Sequence, residues 1–227
     1  AVVKQLFGGL GCNFANPAIT GRVFLLLSFA GDMTTWVKPF YYHGLSIGNQ
    51  LSSSAGSLDL DAVTSATPLV TGTESLSNLF LGNVGGCIGE TSALALLLGG
   101  LFLIFTHIIS PSTPIAYLGS LGILTFFHAL ATGGSLTEVP YALLSGGVMI
   151  GAFFMATDYV TTPITTKGKW IFGIGCGILT FVIREFASMP EGCSFSILLM
   201  NLLTPYIDKF TMTKPLGAKP IKKKEEA

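Results

Sequence analysis

Residues 168–186 read GKWIFGIGCGILTFVIREF, and the fold turns on whether this is a nucleotide-binding turn or a membrane helix. Gly173, Gly175 and Gly177 have a spacing superficially similar to a dinucleotide turn. That turn follows a strand and opens a helix. Here the glycines lie inside an apolar run with no strand ahead of them. Small residues so placed let two helices approach closely, as do Gly147 and Gly151 at a GxxxG spacing. The stretch reads as a spanning helix, and no nicotinamide site is assigned to it.

Working outward, four more apolar segments reach or approach spanning length: 93–110, 114–130, 139–157 and 194–210. Roughly 17–25 residues at 1.5 Å rise cross a hydrocarbon core. A sixth starts at Asn16-Pro17, a capping residue followed by proline at the first helical position, and needs Asp32 and Trp36 at its rim to span. Of 227 residues, 50% are hydrophobic and only 11% charged, with a mean hydropathy of +0.66. A soluble domain carries about a quarter charged residues. The expected fold is therefore an all-α polytopic membrane protein with about six transmembrane helices. It forms one integral membrane domain over 1–227, with a long loop at 32–91 and a basic tail at 211–227. Four scattered cysteines, Cys12, Cys87, Cys176 and Cys193, form no CxxC pair. They give no zinc or cluster signature and read as buried, unpaired thiols.

Charge orients the chain. With the tail cytoplasmic, the loop holding Lys167 and Lys169 falls inside, and the turns at Glu138 and Glu191 fall outside. The loop 32–91 is then extracytoplasmic and Lys4 inside. Ten of the 12 Lys and Arg lie on the inner side, leaving Lys38 and Arg184 outside, as the positive-inside rule requires. The loop is rich in Ser, Thr and Gly without strand alternation; loops of this length are usually functional or disordered, the alternative being a plain link between two helices.

Few polar residues lie within the apolar segments. On this topology His107 and His128 differ in depth by roughly 20 Å, so they do not share a haem. Arg22 lies roughly 7–8 Å into its helix, either as a functional buried cation or snorkelling to the inner interface. Asp32, Glu90, Glu138, Asp158 and Asp208 all fall near segment ends, so none marks an ion path. Asn13 and Asn16, just ahead of a helix start, either face one ligand or, for Asn16, simply cap the helix. The starts at Ser92 and Ser194 carry a weak hint of a duplicated, transporter-like bundle.

Several motifs together resemble a family. They are KQLFGGLGCNFANPA (4–18), DMTTW (32–36), DAVTSATPL (61–69), FMATDYVTTPITTKGK (154–169) and PEGCSFSILLMNLLTPYID (190–208). In consistent order along nearly the whole chain, they are similar to the family of the D subunit of the Rnf ion-translocating ferredoxin:NAD+ oxidoreductase. The B subunit of the sodium-pumping quinone reductase belongs to the same family. The resemblance implies further helices ahead of Ala1. It also implies FMN bound covalently through a phosphoester to Thr67, within a flavinylation string of Asp61, Ser65, Ala66 and Thr67, where serine at 65 replaces the commoner glycine. The family attaches that FMN with a flavin transferase working outside the cytoplasm, which agrees with the charge-derived placement of the loop. Asn13 and Asn16 match asparagines that line a non-covalent riboflavin site, which makes them candidates for a second flavin.

The implied function is a membrane subunit of a redox-driven pump in a prokaryotic inner or plasma membrane, moving Na+ or H+. It acts only with the other flavin- and iron-sulfur-bearing Rnf subunits. Membrane lipid is the surrounding partner, and no nucleic acid is expected. The alternatives are a quinone-reductase subunit, a non-redox solute channel or transporter, and a structural anchor for other redox subunits.

Overall fold

The computed structural model describes residues 2–6, 8–9, 11–34, 36–37, 64–65, 75–86, 90–187 and 192–212. Its elements begin with α1 (Val2–Gln5), α2 (Pro17–Ser28), α3 (Ala30–Thr34), β1 (Trp36–Val37) and β2 (Thr64–Ser65). Then come α4 (Leu76–Leu81), α5 (Ala93–Phe105), α6 (Ser112–Thr132), α7 (Glu138–Leu144) and α8 (Val148–Ile150). A π-turn (Gly151–Met155), α9 (Thr166–Phe186) and α10 (Gly192–Thr211) complete the described chain. The expected all-α fold holds among the described residues except for β1 and β2, which pair antiparallel.

The helices start where side chains can satisfy their first N–H groups. Asn16 Oδ1 accepts from Ala18 N at 3.0 Å and Ile19 N at 3.4 Å, ahead of Pro17. Ser92 caps α5 through Ala95 N, and Thr165 caps α9 through Gly168 N. Helix α4 closes on Gly82 at φ +99°, where a β-carbon would come within 2.8 Å of Ser92 Cβ. Only glycine fits both that backbone and that space.

The core is a stack with α9 between α6 and α10. A β-carbon at Gly173 would lie 2.7 Å from Ala116 Cβ and 2.8 Å from Thr113 O. One at Gly177 would lie 2.8 Å from Tyr117 O and 3.0 Å from Leu121 N. Contacts therefore advance together along both chains, so α6 and α9 run parallel, backbone against backbone, as small residues at this spacing allow. The packing reading of the GIGCG stretch is thus what the structure shows. Helix α10 runs antiparallel to α9, with Gly192 against Ile183 at one end and Gly168 near Thr211 at the other. Tyr117, Leu121, Phe172, Cys176 and Ile197 are buried at the centre, while Phe102, Phe105, Phe127 and Leu130 point outward. An outer face so apolar suits a lipid surround.

The six expected spans are met unevenly. Two helices, α6 and α9, are long and apolar enough to cross a membrane, at 21 residues each. Helices α7 and α8 with the π-turn pass that test only as a pair, bent by 63°. Helix α2 stops after 12 residues at Phe29 before α3 resumes, and α5 has 13 residues. Helix α10 has 20 residues, but its polar positions keep it out of the apolar class.

Candidate functional site

Asp61, Ala66 and Thr67 lie outside the described residues, as does most of the loop 32–91 and the tail beyond Met212. Ser65 is described through its backbone, in β2. Trp36 pairs with Ser65 and Val37 with Thr64, so the DMTTW exit from α3 is joined to the middle of the flavinylation string. Strands of two residues leave no alternation to read, and hydropathy gives no sign of this pairing.

Asn13 and Asn16 are both half-buried and lie at the start of α2. Asn16 is the helix cap, with its carbonyl committed to two backbone N–H groups. Asn13 Nδ2 donates to Ala15 O at 3.1 Å. Among the described residues, Asn16 Nδ2 and Asn13 Oδ1 keep hydrogen-bonding capacity, a donor and an acceptor three positions apart. The edge of a flavin's pyrimidine ring offers carbonyls beside an N–H, so these amides fit it by type. Phe14, 46% exposed between them, adds an aromatic face.

Arg22 does not snorkel. Its Nη2 lies 3.3 Å from Glu90 Oε2, with side-chain exposures of 20% and 5%. Glu90 stands just ahead of α5, as its sequence position implies. It is buried beside Gly147, 3.8 Å from where that residue's β-carbon would be. Gly147 lies in the break between α7 and α8, and the break is held by side chains from the neighbouring helices. Arg184 donates through Nη1 to Ala142 O at 2.7 Å and through Nη2 to Ser145 O at 3.1 Å. Cys193 Sγ donates to Gly147 O at 3.3 Å. Irregular backbone at membrane depth survives only when its polar groups are met inside the protein, and these three bonds do that here.

A buried hydroxyl cluster continues from Cys193. Tyr117 Oη is 2.7 Å from Thr180 Oγ1, 3.2 Å from Cys193 Sγ and 3.4 Å from Ser196 Oγ. Thr180 and Ser196 are 2.7 Å apart. Further along α10, Thr204 Oγ1 donates to Thr161 O at 2.9 Å. Between them Asn201 is 1% exposed, and neither polar atom of its amide has a hydrogen-bond partner among the described residues. Four residues on, Pro205 lacks the N–H that would bond the Asn201 carbonyl. Polar residues recurring along one face of α10 (Cys193, Ser196, Asn201, Thr204) are the sequence signal that would have exposed this stripe.

The histidines stand at opposite ends of α6. His107 follows α5 at φ +57° ahead of the α6 start. His128 lies 3.8 Å from Glu185 and edge-on to Phe181. Cys176 and Cys193 are buried free thiols as expected, Cys12 is exposed rather than buried, and Cys87 lies outside the described residues.

Residues 1–217 match the family model for NQR2, RnfD and RnfE. The chain belongs to the NQR2, RnfD, RnfE family. Within that family it is 47% identical to the D subunit of the Na+-translocating ferredoxin:NAD+ oxidoreductase complex of Acetobacterium woodii, over 100% of the chain and 66% of the relative. It is 42% identical to the D subunit of the proton-translocating ferredoxin:NAD+ oxidoreductase complex of Clostridium ljungdahlii, over 96% of the chain and 66% of that protein. The D subunit of an ion-translocating oxidoreductase complex of Stutzerimonas stutzeri is 40% identical, over 94% and 66%. The chain thus spans 66% of the length of these RnfD-type relatives.

Proposed function

We propose that this chain is the membrane-embedded D subunit of an Rnf-type ferredoxin:NAD+ oxidoreductase, a translocase whose electron flow drives Na+ or H+ across a prokaryotic inner or plasma membrane. The observation that carries this reading is identity of 47% over the whole chain to a protein so named. The other Rnf subunits, bearing flavin and iron-sulfur carriers, are its partners, and it does not turn over alone.

Thr67 is the attachment point for FMN and lies on the extracytoplasmic side, with the C-terminal tail cytoplasmic. Its hydroxyl would attack the flavin-side phosphorus of a flavin dinucleotide in the transferase, losing its proton as the new P–O bond forms while the pyrophosphate bond breaks and a nucleoside monophosphate leaves. Asp61, Ser65 and Ala66 form the string that the transferase recognises, and small side chains there let the loop enter a cleft. The β1–β2 pairing supports this reading by fixing Thr64 and Ser65, inside the string, to the end of α3. Asn13 and Asn16 hold a second, non-covalent riboflavin, with Asn16 Nδ2 donating and Asn13 Oδ1 accepting. The flavins supply the one-electron and two-electron chemistry that side chains lack.

The coupling ion does not follow from similarity. A relative named for Na+ and one named for protons stand at 47% and 42% identity. Sodium dependence of electron transfer in the assembled complex separates them.

The test of the flavin assignment is direct. Wild type co-expressed with its transferase gives a fluorescent band on a denaturing gel under ultraviolet light, and Thr67→Ala removes it. Wild type without bound flavin by mass spectrometry sinks the assignment.

A further inference from the structure

Two open features adjoin along α6 and α9. The first is a cavity of about 530 Å³ between the α5–α6 connection and the loop ahead of α9. His107, Ser110, Thr113, Tyr159 and Lys169 are among its lining residues. The second is an open groove of about 440 Å³ along the same two helices, lined by Ile115, Gly119, Ile123, Trp170, Ile174 and Ile178 among others.

The lining changes character within one helical turn on both helices. On α6, Thr113 belongs to the polar cavity and Ile115 to the groove. On α9, Lys169 belongs to the cavity and the next residue, Trp170, to the groove. Because α6 and α9 are parallel, the two changes occur at the same end of the pair. The groove then runs from 115 to 123 and from 170 to 178, roughly 12 Å at 1.5 Å per residue. One leaflet of a hydrocarbon core is about 15 Å deep. Gly119 leaves the floor open, with nothing within 4 Å of where its β-carbon would be.

We propose that this pair of features binds a single anionic phospholipid, its phosphate at Lys169 and one acyl chain in the groove below. The charge balance at the mouth favours an anion. Lys169 is half-buried in the cavity wall without an ion pair among the described residues, and Lys167 is exposed two positions away. The nearby carboxylates are turned to other partners. Asp208 Oδ1 accepts from Ile164 N at 3.0 Å, Asp158 Oδ2 accepts from Thr161 Oγ1 at 3.0 Å, and neither lines the cavity. Tyr159 and Trp170, 76% and 43% exposed, are the aromatic residues that settle at headgroup level. Ala116, Gly119 and Ser120 would also admit a helix of another subunit. Against that occupant stands the cation at the mouth, which a lipid phosphate neutralises.

The experiment uses the assembled complex, purified from its own membranes and exchanged exhaustively into detergent. Retained lipid is extracted and identified by mass. The expected result is an anionic phospholipid held at a single copy per chain. Lys169→Gln lowers its retention about fivefold, the effect of one basic residue at an anionic surface. Gly119→Leu, which fills the groove, reduces retention to background; should that variant not assemble, Lys169→Gln decides alone. Retention unchanged in both variants, or only zwitterionic lipid retained, overturns the proposal. So does a photo-crosslinker at Ile123 that labels a neighbouring subunit instead of lipid, and so does a soluble phosphate compound in place of lipid.

Discussion

Arg22 on α2 and Glu90, 68 positions later, meet at 3.3 Å with the carboxylate almost wholly out of water. Two charges withdrawn from solvent tolerate each other's presence better than each other's loss. Glu90→Gln removes the negative charge from this buried pair and is expected to lower stability by up to about 3–5 kcal/mol. The double variant Arg22→Met with Glu90→Leu recovers most of that. Thermal unfolding in detergent reads both, and equal destabilisation by the single and double variants would show that packing, not charge, is at stake.

At the α6–α9 contact, Gly177→Val is expected to destabilise by at least about 1–3 kcal/mol, the usual cost of overpacking. Its new β-carbon would press on two backbone atoms, Tyr117 O and Leu121 N, which cannot rotate away. Gly119→Ala, on the open side of the same helix pair, is the matched control and leaves the melting temperature in place.

Arg184 holds two carbonyls of the broken helix, those of Ala142 and Ser145. Arg184→Met leaves both without this donor, at about 1–3 kcal/mol for each buried group left unsatisfied. Hydrogen exchange across 142–147 should accelerate, and Arg184→Lys should restore part of the protection. No change in exchange there would mean that the break holds without Arg184.

The β1–β2 pair predicts an effect at a distance in sequence. Val37→Pro removes the backbone N–H of a pairing position and fixes φ near −65°, away from the roughly −140° typical of an antiparallel strand. Flavin fluorescence of the protein band is expected to fall although Thr67 is intact. Full flavin incorporation in Val37→Pro would remove the ribbon from any role in presenting Thr67.

The parts of this fold written in local spacing were legible before the structure. Gly173 and Gly177, four residues apart, meet α6 as close-packing residues should, and Asn16-Pro17 opens α2 with the expected cap. The break at Ser145 to Gly147 was not legible, because hydropathy continues through it and the groups that hold it, Arg184 and Cys193, come from other helices. The Arg22–Glu90 pair was hidden for the same reason: each charge sits alone in its own stretch of sequence. Asn201 taken singly was not legible, since one amide in an apolar helix says nothing of what surrounds it; the signal lay in its recurrence with Cys193, Ser196 and Thr204 along one face of α10. The flavin string was legible only through resemblance, and the described residues reach it no further than Ser65.

The parallel run of α6 and α9 has a consequence for counting. Adjacent helices that point the same way cannot be joined by a turn, since the chain leaves α6 at one face of the bundle and must enter α9 at the opposite one. The only described helical segments between them are α7, α8 and the π-turn, so these must make the return journey. The 63° bend therefore belongs to a full traverse and not to a hairpin that dips in and comes back out. By parity, the most distorted stretch of the bundle is also what lets Lys167 and Lys169 emerge on the same side as the start of α6.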